Sequence, residues 1–408
     1  MSFPLLVLYG LGTTVGAGIY ALIGVTAGIA GYWTPVAFML AGVLAAFTAL
    51  SLAELSGRFP KAAGEAVYVE EGFAAPRLAV FVGLSMALAG TISAATVCRG
   101  FAGYVSAYSP VPAWLAIVFI VAVSGAVAAR GIGETAWIAA SLTVLEVGGL
   151  LLVIWVGRES LAELPTRGAE LVPTLDATAW SAILGASVIC FYAFLGFEDM
   201  INVAEEVKDV RRNLPRAIVW TLVATLVLYL MLTVAAVMTV PPGELGSSDA
   251  PLALIYERAT GRTPWLLSAI GAIAMSNGAL IQIVKSSRIL YGLADRGELP
   301  SALGHVHPRS HTPLLATGLV VCVVLVLALT LPLGQLAKAT SLITLLVFGL
   351  ICAALVRVRA TRPATGGGFR VPIWIPWLGV FVNLGLVVFE GARMLGVIGG
   401  GGGWSPPH

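Results

Sequence analysis

The chain has 408 residues, of which 58% are apolar and 11% charged, with a formal net charge of +2. A soluble globular domain carries about a quarter charged residues, so composition excludes a soluble enzyme or binding module. The small net charge, with basic residues lying between apolar runs, leaves no footprint for nucleic acid.

Spanning the hydrocarbon core takes about 20 mostly apolar residues. Eleven runs meet that need, near 3–30, 34–54, 78–105, 111–129, 134–157, 180–202, 216–240, 264–293, 312–331, 336–356 and 373–397. The first run has no basic leader and is too long for a cleavable signal peptide. The connections are short except for two polar loops, 158–178 and 241–263, and residues 398–408 read as a flexible tail. Cys98, Cys190, Cys322 and Cys352 all fall inside apolar runs and read as buried helix residues without a disulfide framework. With the N-terminus in the cytoplasm, sixteen of the 23 Lys and Arg fall in inner loops and six outside, while Arg99 lies within span 3. The excess of inner positive charge fixes that orientation, and an odd number of spans places the C-terminus outside.

Span 1 contains Tyr9-Gly-Leu-Gly-Thr-Thr-Val-Gly-Ala-Gly-Ile-Tyr20. Each glycine in a helix costs about 1 kcal/mol relative to alanine, so four within nine residues predict a broken helix. Close helix packing at Gly12 and Gly16 is the alternative. A dinucleotide-binding loop is excluded, because no strand precedes these glycines. Five spans later comes Phe191-Tyr-Ala-Phe-Leu-Gly-Phe-Glu-Asp199, with a single glycine at Gly196. Its position carries the reading. Span 6 opens a second five-span unit as span 1 opens the first, and an odd number of spans per unit inserts the two in opposite orientation. Paired interruptions of this kind predict an inverted-repeat transporter with a site at the bilayer midplane. The predicted units are 1–157 and 180–356, with 373–397 as an additional helix.

The dipoles assign the roles. Span 1 runs outward, so its second half begins near Gly18 with free N–H groups suited to a carboxylate. Span 6 runs inward, so its first half ends near Tyr192 with free carbonyls suited to an ammonium group. Together they predict a site for the head group of a zwitterionic amino acid.

These residues resemble those of the amino acid–polyamine–organocation permeases. Gly16-Ala-Gly-Ile-Tyr20 is similar to the family's G-x-G-I-[FY] signature, and Phe59-Pro-Lys-Ala-Ala-Gly-Glu65 resembles its first cytoplasmic loop. Gly196-Phe-Glu-Asp199, Ala204-Glu-Glu206 and Asn213-Leu-Pro-Arg216 resemble span 6 and the loop after it. Ser287-Arg-Ile-Leu-Tyr291, with Gly297 and Pro300, resembles the inner end of span 8. The match covers nearly the whole chain in order. Ala63 and Ala66 depart from the usual Gly and Tyr, Val210 replaces a common Pro, and a twelfth helix is not seen. The resemblance implies a LeuT-type fold, all-α and membrane-integral, and secondary amino acid transport by alternating access. The departures leave the oligomeric state undefined.

Position by position, the resemblance implies that Thr14, Gly16, Ala17 and Gly18 meet the substrate carboxylate, and that Phe191, Tyr192, Ala193 and Leu195 meet its ammonium. Phe194 and Phe197 are candidate gate aromatics, with core packing as the alternative. Met86, Ser276, Asn277 and Ser341 are candidate wall residues on spans 3, 8 and 10. Glu146 lies in the middle of span 5, and an intramembrane carboxylate is a functional candidate by default. Proton-coupled relatives carry a lysine at this place. Glu146 is therefore expected to bind the coupling proton. A static protonated carboxyl and a sodium ligand are the alternatives. Arg99 reads as snorkelling to the interface or as an outer-gate residue, and Glu198 and Asp199 as inner-gate partners of a basic residue such as Arg288 or as solvated loop charges. His305, His307 and His311 lack the partners of a metal site, so no metal or cofactor is expected.

The expected function is proton-coupled uptake of a neutral L-amino acid across the cytoplasmic membrane, with exchange of amino acids or polyamines and sodium symport as alternatives. A channel would need polar or carbonyl rings along a pore, and an enzyme a cluster of catalytic groups at one depth. The sequence contains neither. An amino acid sensor on the same fold is a further alternative.

Overall fold

The computed structural model describes residues 1–59, 64–131, 136–362 and 369–396. Pro60, Lys61, Ala62 and Ala63 of the loop motif, and the tail expected over 398–408, lie outside the described residues. Among the described residues every regular element is a helix. Span 1 is divided into α1 (Phe3–Thr14) and α2 (Ala17–Ala30). α3 (Thr34–Arg58) follows, then α4 (Gly64–Phe73) in the first loop, α5 (Pro76–Tyr108), α6 (Ala113–Arg130) and α7 (Ala136–Val156). Two short helices, α8 (Arg158–Leu161) and α9 (Leu164–Arg167), lead to α10 (Ala177–Phe194). Asp176 caps α10 by accepting a hydrogen bond from the Ala179 N–H at 2.7 Å. A 3-10 segment over Phe197–Glu206 completes span 6. The remaining helices are α11 (Val210–Thr239), α12 (Pro242–Ser247), α13 (Pro251–Thr260), α14 (Trp265–Asp295), α15 (Leu314–Thr330), α16 (Leu333–Thr361) and α17 (Trp374–Met394).

Among the described residues, eight helical stretches are long and apolar enough to cross a membrane. Three shorter apolar helices accompany them, Phe3–Thr14, Ala140–Val156 and Leu314–Thr330. Large apolar side chains such as Trp114, Phe119, Trp155, Trp220, Phe381 and Val388 point outward. An apolar outer face is what lipid requires, so these helices carry no polar stripe.

The two polar loops hold more structure than expected. Residues 158–178 contain α8, α9 and a 3-10 turn, and 241–263 contain α12 and α13. Proline at the first helical position starts both α12 and α13, and α13 buries Leu252, Ala253 and Ile255. α12 meets α2 where two glycines allow backbone contact: a Cβ on Gly246 would lie 2.6 Å from Gly28 Cα.

In the interior, α5 packs along α14, α3 along α11, and α2 across α10. Buried charges join the helix ends. Glu54 of α3 is fully buried and accepts from Arg58, from Arg359 of α16 and from the Val371 N–H at 2.9 Å. Glu390 of α17 is buried and pairs with Lys338 of α16. Arg393 stands 3.7 Å from Glu390, and its guanidinium fills the space above Gly185 of α10, 1.9 Å from where a Cβ would be. Arg99, considered above for snorkelling or an outer gate, donates to the Ala328 carbonyl at 3.1 Å. That carbonyl lies in the last turn of α15, where the helix supplies no donor. All four cysteines are free, and Cys322 is exposed rather than buried.

Candidate functional site

The two helix breaks meet. α1 ends at Thr14, Val15 turns out of helical geometry, Gly16 is extended, and α2 begins at Ala17. The first N–H groups of α2 therefore have no acceptor within their own helix. α10 continues to Phe194, two residues further than the end expected near Tyr192. The chain turns at Gly196, where φ is +125°, a value that side-chain-bearing residues rarely adopt. The Gly196 N–H is satisfied by Glu198 Oε2 at 2.7 Å.

Glycine at each break admits the opposite backbone. A Cβ on Gly196 would fall 2.1 Å from the Thr13 carbonyl oxygen, and one on Gly18 would fall 2.9 Å from Ala193 Cα. The Thr13 hydroxyl lies 3.0 Å from the Gly196 carbonyl. Tyr229 of α11 bridges the same junction: its hydroxyl is 3.0 Å from the Thr14 carbonyl and 2.9 Å from that of Ala193. One hydroxyl proton thus serves the ends of both half-helices.

Gly12 and Gly16 also allow α7 to approach. Added methyl carbons there would lie 2.0 Å from Thr143 Oγ1 and 3.4 Å from Glu146 Oε2. Close packing and a real break therefore coexist in span 1. Glu146 is 2% exposed, and its main-chain carbonyl accepts from the Tyr20 hydroxyl at 2.7 Å.

Between the breaks lies a cavity of about 60 Å³. α1 and α2 contribute Gly12 to Thr14 and Gly16 to Gly18, α10 and the turn after it Tyr192, Ala193 and Leu195, and α7 contributes Glu146. α5 adds Ser93 and Val97, and α14 adds Ala274, Asn277, Gly278, Ile281 and Gln282. Asp199 also lines it. Asp199 Oδ1 holds the Lys285 ammonium at 2.5 Å, and Glu198 lies 3.7 Å from the same ammonium. The basic partner of these acids is Lys285 of α14, not Arg288 as expected. Arg288, nearly one turn further along α14, is exposed. Glu65 of α4 is buried nearby. Burial pushes its carboxyl above the usual carboxylate range, against the pull of Lys285.

Several expected site residues lie elsewhere. Phe191, Phe194 and Phe197 are fully buried outside the cavity lining. Phe194 packs on Tyr229 with ring centroids 5.2 Å apart and on Phe38 at 6.4 Å, while Phe191 and Phe197 meet Phe348 at 6.0 and 5.7 Å. This is an aromatic core behind the break. Met86 and Ser341 are buried outside the lining, and Ser276 donates to the Ala272 carbonyl of its own helix at 2.7 Å. Ser93, Val97, Gln282, Lys285 and Tyr229 were not singled out from the sequence. Lys285 had a usable signal, a cation within an apolar run.

The profile of the amino acid permease family matches residues 2–391. The chain belongs to the amino acid permease family. This permease is 29% identical over 384 residues to the mitochondrial cationic amino acid transporter 3 of Arabidopsis thaliana, covering 89% of this chain and 63% of that one. It therefore spans less than two thirds of that relative's length. It is 26% identical over 410 residues to the branched-chain amino acid permease BcaP of Bacillus subtilis, covering 94% and 86% of the two chains. An uncharacterized transporter of Mycobacterium tuberculosis is 32% identical over 328 residues, covering 79% and 72%. The permease is thus an all-helical, multi-pass membrane protein of an amino acid transport family.

Proposed function

We propose that this permease is a secondary carrier that takes up a neutral L-amino acid with a proton across the cytoplasmic membrane by alternating access. The observation that carries this reading is the pair of helix breaks facing each other across a cavity. The N–H groups at the start of α2 suit a carboxylate and the carbonyls at the end of α10 suit an ammonium, both without a charged side chain. In this reading Thr14, Gly16, Ala17 and Gly18 hold the carboxylate, and Tyr192, Ala193 and Leu195 line the ammonium end. The pairing of α2 with α10, α3 with α11 and α5 with α14 supports the inverted repeat, since each pair joins corresponding helices of units 1–157 and 180–356. Residues 373–397 lie outside the repeat. The distribution of Lys and Arg supports an inner N-terminus and an outer C-terminus.

Glu146 is the group that takes the coupling proton. Its burial beside Gly16 places a titratable carboxyl against the backbone that receives the substrate. The Lys285–Asp199 pair closes the inner end, and breaking it opens the cavity to the cytoplasm. In proteoliposomes, Glu146→Gln is expected to keep amino acid exchange and lose stimulation by a proton gradient. Uptake that stays gradient-dependent in that variant overturns the proton role. A cationic substrate is the second reading, because Glu146 and Asp199 both line the cavity and some relatives are named as cationic amino acid transporters. Competition by lysine and arginine, but not by neutral amino acids, would select it.

A further inference from the structure

The cavity is narrow because one side chain crosses it. Tyr192 is 5% exposed on the last turn of α10, and its hydroxyl reaches α5, 2.8 Å from Ser93 Oγ and 3.2 Å from the Ser93 carbonyl oxygen. Ser93 is itself buried. The ring is held at its other edge by α2, where a Cβ on Gly18 would lie 3.3 Å from Tyr192 Cδ1. The opposite wall is equally close. A Cβ on Gly278 would stand 3.2 Å from Ala17 Cβ and 3.4 Å from Val97 Cγ1.

A substrate whose head group lies between α2 and α10 must extend its side chain toward α5 and α14. There it meets the Tyr192 ring, Val97 and Gly278. The cavity measures about 60 Å³, and each water-sized guest needs roughly 10–15 Å³ of such space. That leaves room for roughly four to six guests of that size, which matches the heavy atoms of glycine or alanine and falls about one atom short of serine. Leucine and lysine exceed it by several heavy atoms. The polar side chains on these walls, Asn277 and Gln282 of α14 beside Ser93 of α5, suit a short hydroxyl-bearing side chain as well as a methyl.

We infer that this carrier selects small neutral amino acids, and that the hydrogen bond between Tyr192 and Ser93 sets the size limit. The inference rests on the transport reading above and narrows its substrate class. It makes Tyr192 a selectivity residue through its ring as well as its backbone.

The test is counterflow in proteoliposomes loaded with an unlabelled mixture of glycine, alanine, serine, leucine and lysine, using each of the five as external label in turn. The first three should accumulate, and leucine and lysine should enter at least about tenfold more slowly. Ser93→Ala removes the shorter of the two bonds on the Tyr192 hydroxyl, which loosens the ring, and should raise leucine relative to alanine several-fold. Tyr192→Phe removes both bonds and should raise that ratio at least as far. A purely structural role would slow all substrates together and leave the ratio fixed. Leucine or lysine entering the unaltered protein as fast as alanine overturns the inference, as does an unchanged ratio in both variants. If none of the five labels accumulates, the transport reading itself fails.

Discussion

Replacing Gly196 by alanine tests the junction between the two breaks. Two penalties add at this position. A φ of +125° with ψ of −26° places a side-chain-bearing residue in a sparsely populated region, at about 1–3 kcal/mol. The new methyl carbon would also sit 2.1 Å from the Thr13 carbonyl oxygen and 2.9 Å from Thr14 Cα. Both are main-chain atoms, so no rotamer change relieves the contact. A combined cost above about 3 kcal/mol disfavours this arrangement of the breaks by more than about a hundredfold. Gly148 is the control, since it lies within α7, is exposed, and a Cβ there meets nothing within 4 Å. Gly148→Ala should stabilise by about 0.5–1 kcal/mol through helix propensity. Uptake in proteoliposomes and thermal unfolding in detergent read both variants. Gly196→Ala with unaltered uptake and unfolding temperature would refute the account of interlocked breaks.

Tyr229→Phe removes the hydroxyl shared by Thr14 and Ala193 and should lower stability by about 1–2 kcal/mol; an unchanged unfolding temperature argues against the bridge. Lys285→Met strands Asp199 and Glu198 and should cost about 3 kcal/mol or more, with much of the loss recovered in Lys285→Met/Asp199→Asn; a double variant no better than the single one removes the pairing. Glu54→Ala leaves Arg359 buried without its carboxylate and should cost about 3–5 kcal/mol, read as loss of folded protein after extraction. Glu65 has a raised folded-state pKa, so its contribution is fully favourable below the ordinary value of 4.5 and is lost as pH rises through the folded value. Glu65→Gln should therefore flatten the fall in thermal stability above that pH, and an unaltered pH profile would show that Glu65 is not the group responsible.

The helices were legible because lipid demands long apolar runs, and runs of that length are conspicuous against loops carrying Arg and Lys. The first break was legible from repeated glycine. The second was weaker, since one glycine suffices when its φ is positive, and α10 ran on to Phe194 until Gly196 permitted the turn. Which face of a long helix meets the cavity was harder to read. Lipid and protein interior are both apolar, so no amphipathic stripe marks the inward side. On α5 the face is read correctly and the depth is not: Met86 and the cavity-lining Ser93 share a face about two turns apart. Ser276 and Asn277 differ by about 100° around α14, and only Asn277 lines the cavity. Lys285 was placed with the inner-loop charges because span 8 is long and its basic end looked solvated. Its role depends on Asp199, 86 residues away in sequence, and no local pattern reports such a pairing.

The charge pairing of α17 bears on any attempt to reduce this protein to a minimal scaffold. The helix follows the ten proposed repeat spans and invites deletion. Yet Glu390 neutralises Lys338 of α16, and Arg393 fills the notch left by Gly185 on α10. A truncation before Trp374 would leave a lysine facing lipid without its counter-ion and an open slot beside the first half of span 6. A shortened design would have to replace Lys338 with an apolar residue and Gly185 with a larger one before its remaining helices could be expected to insert and pack as they do here.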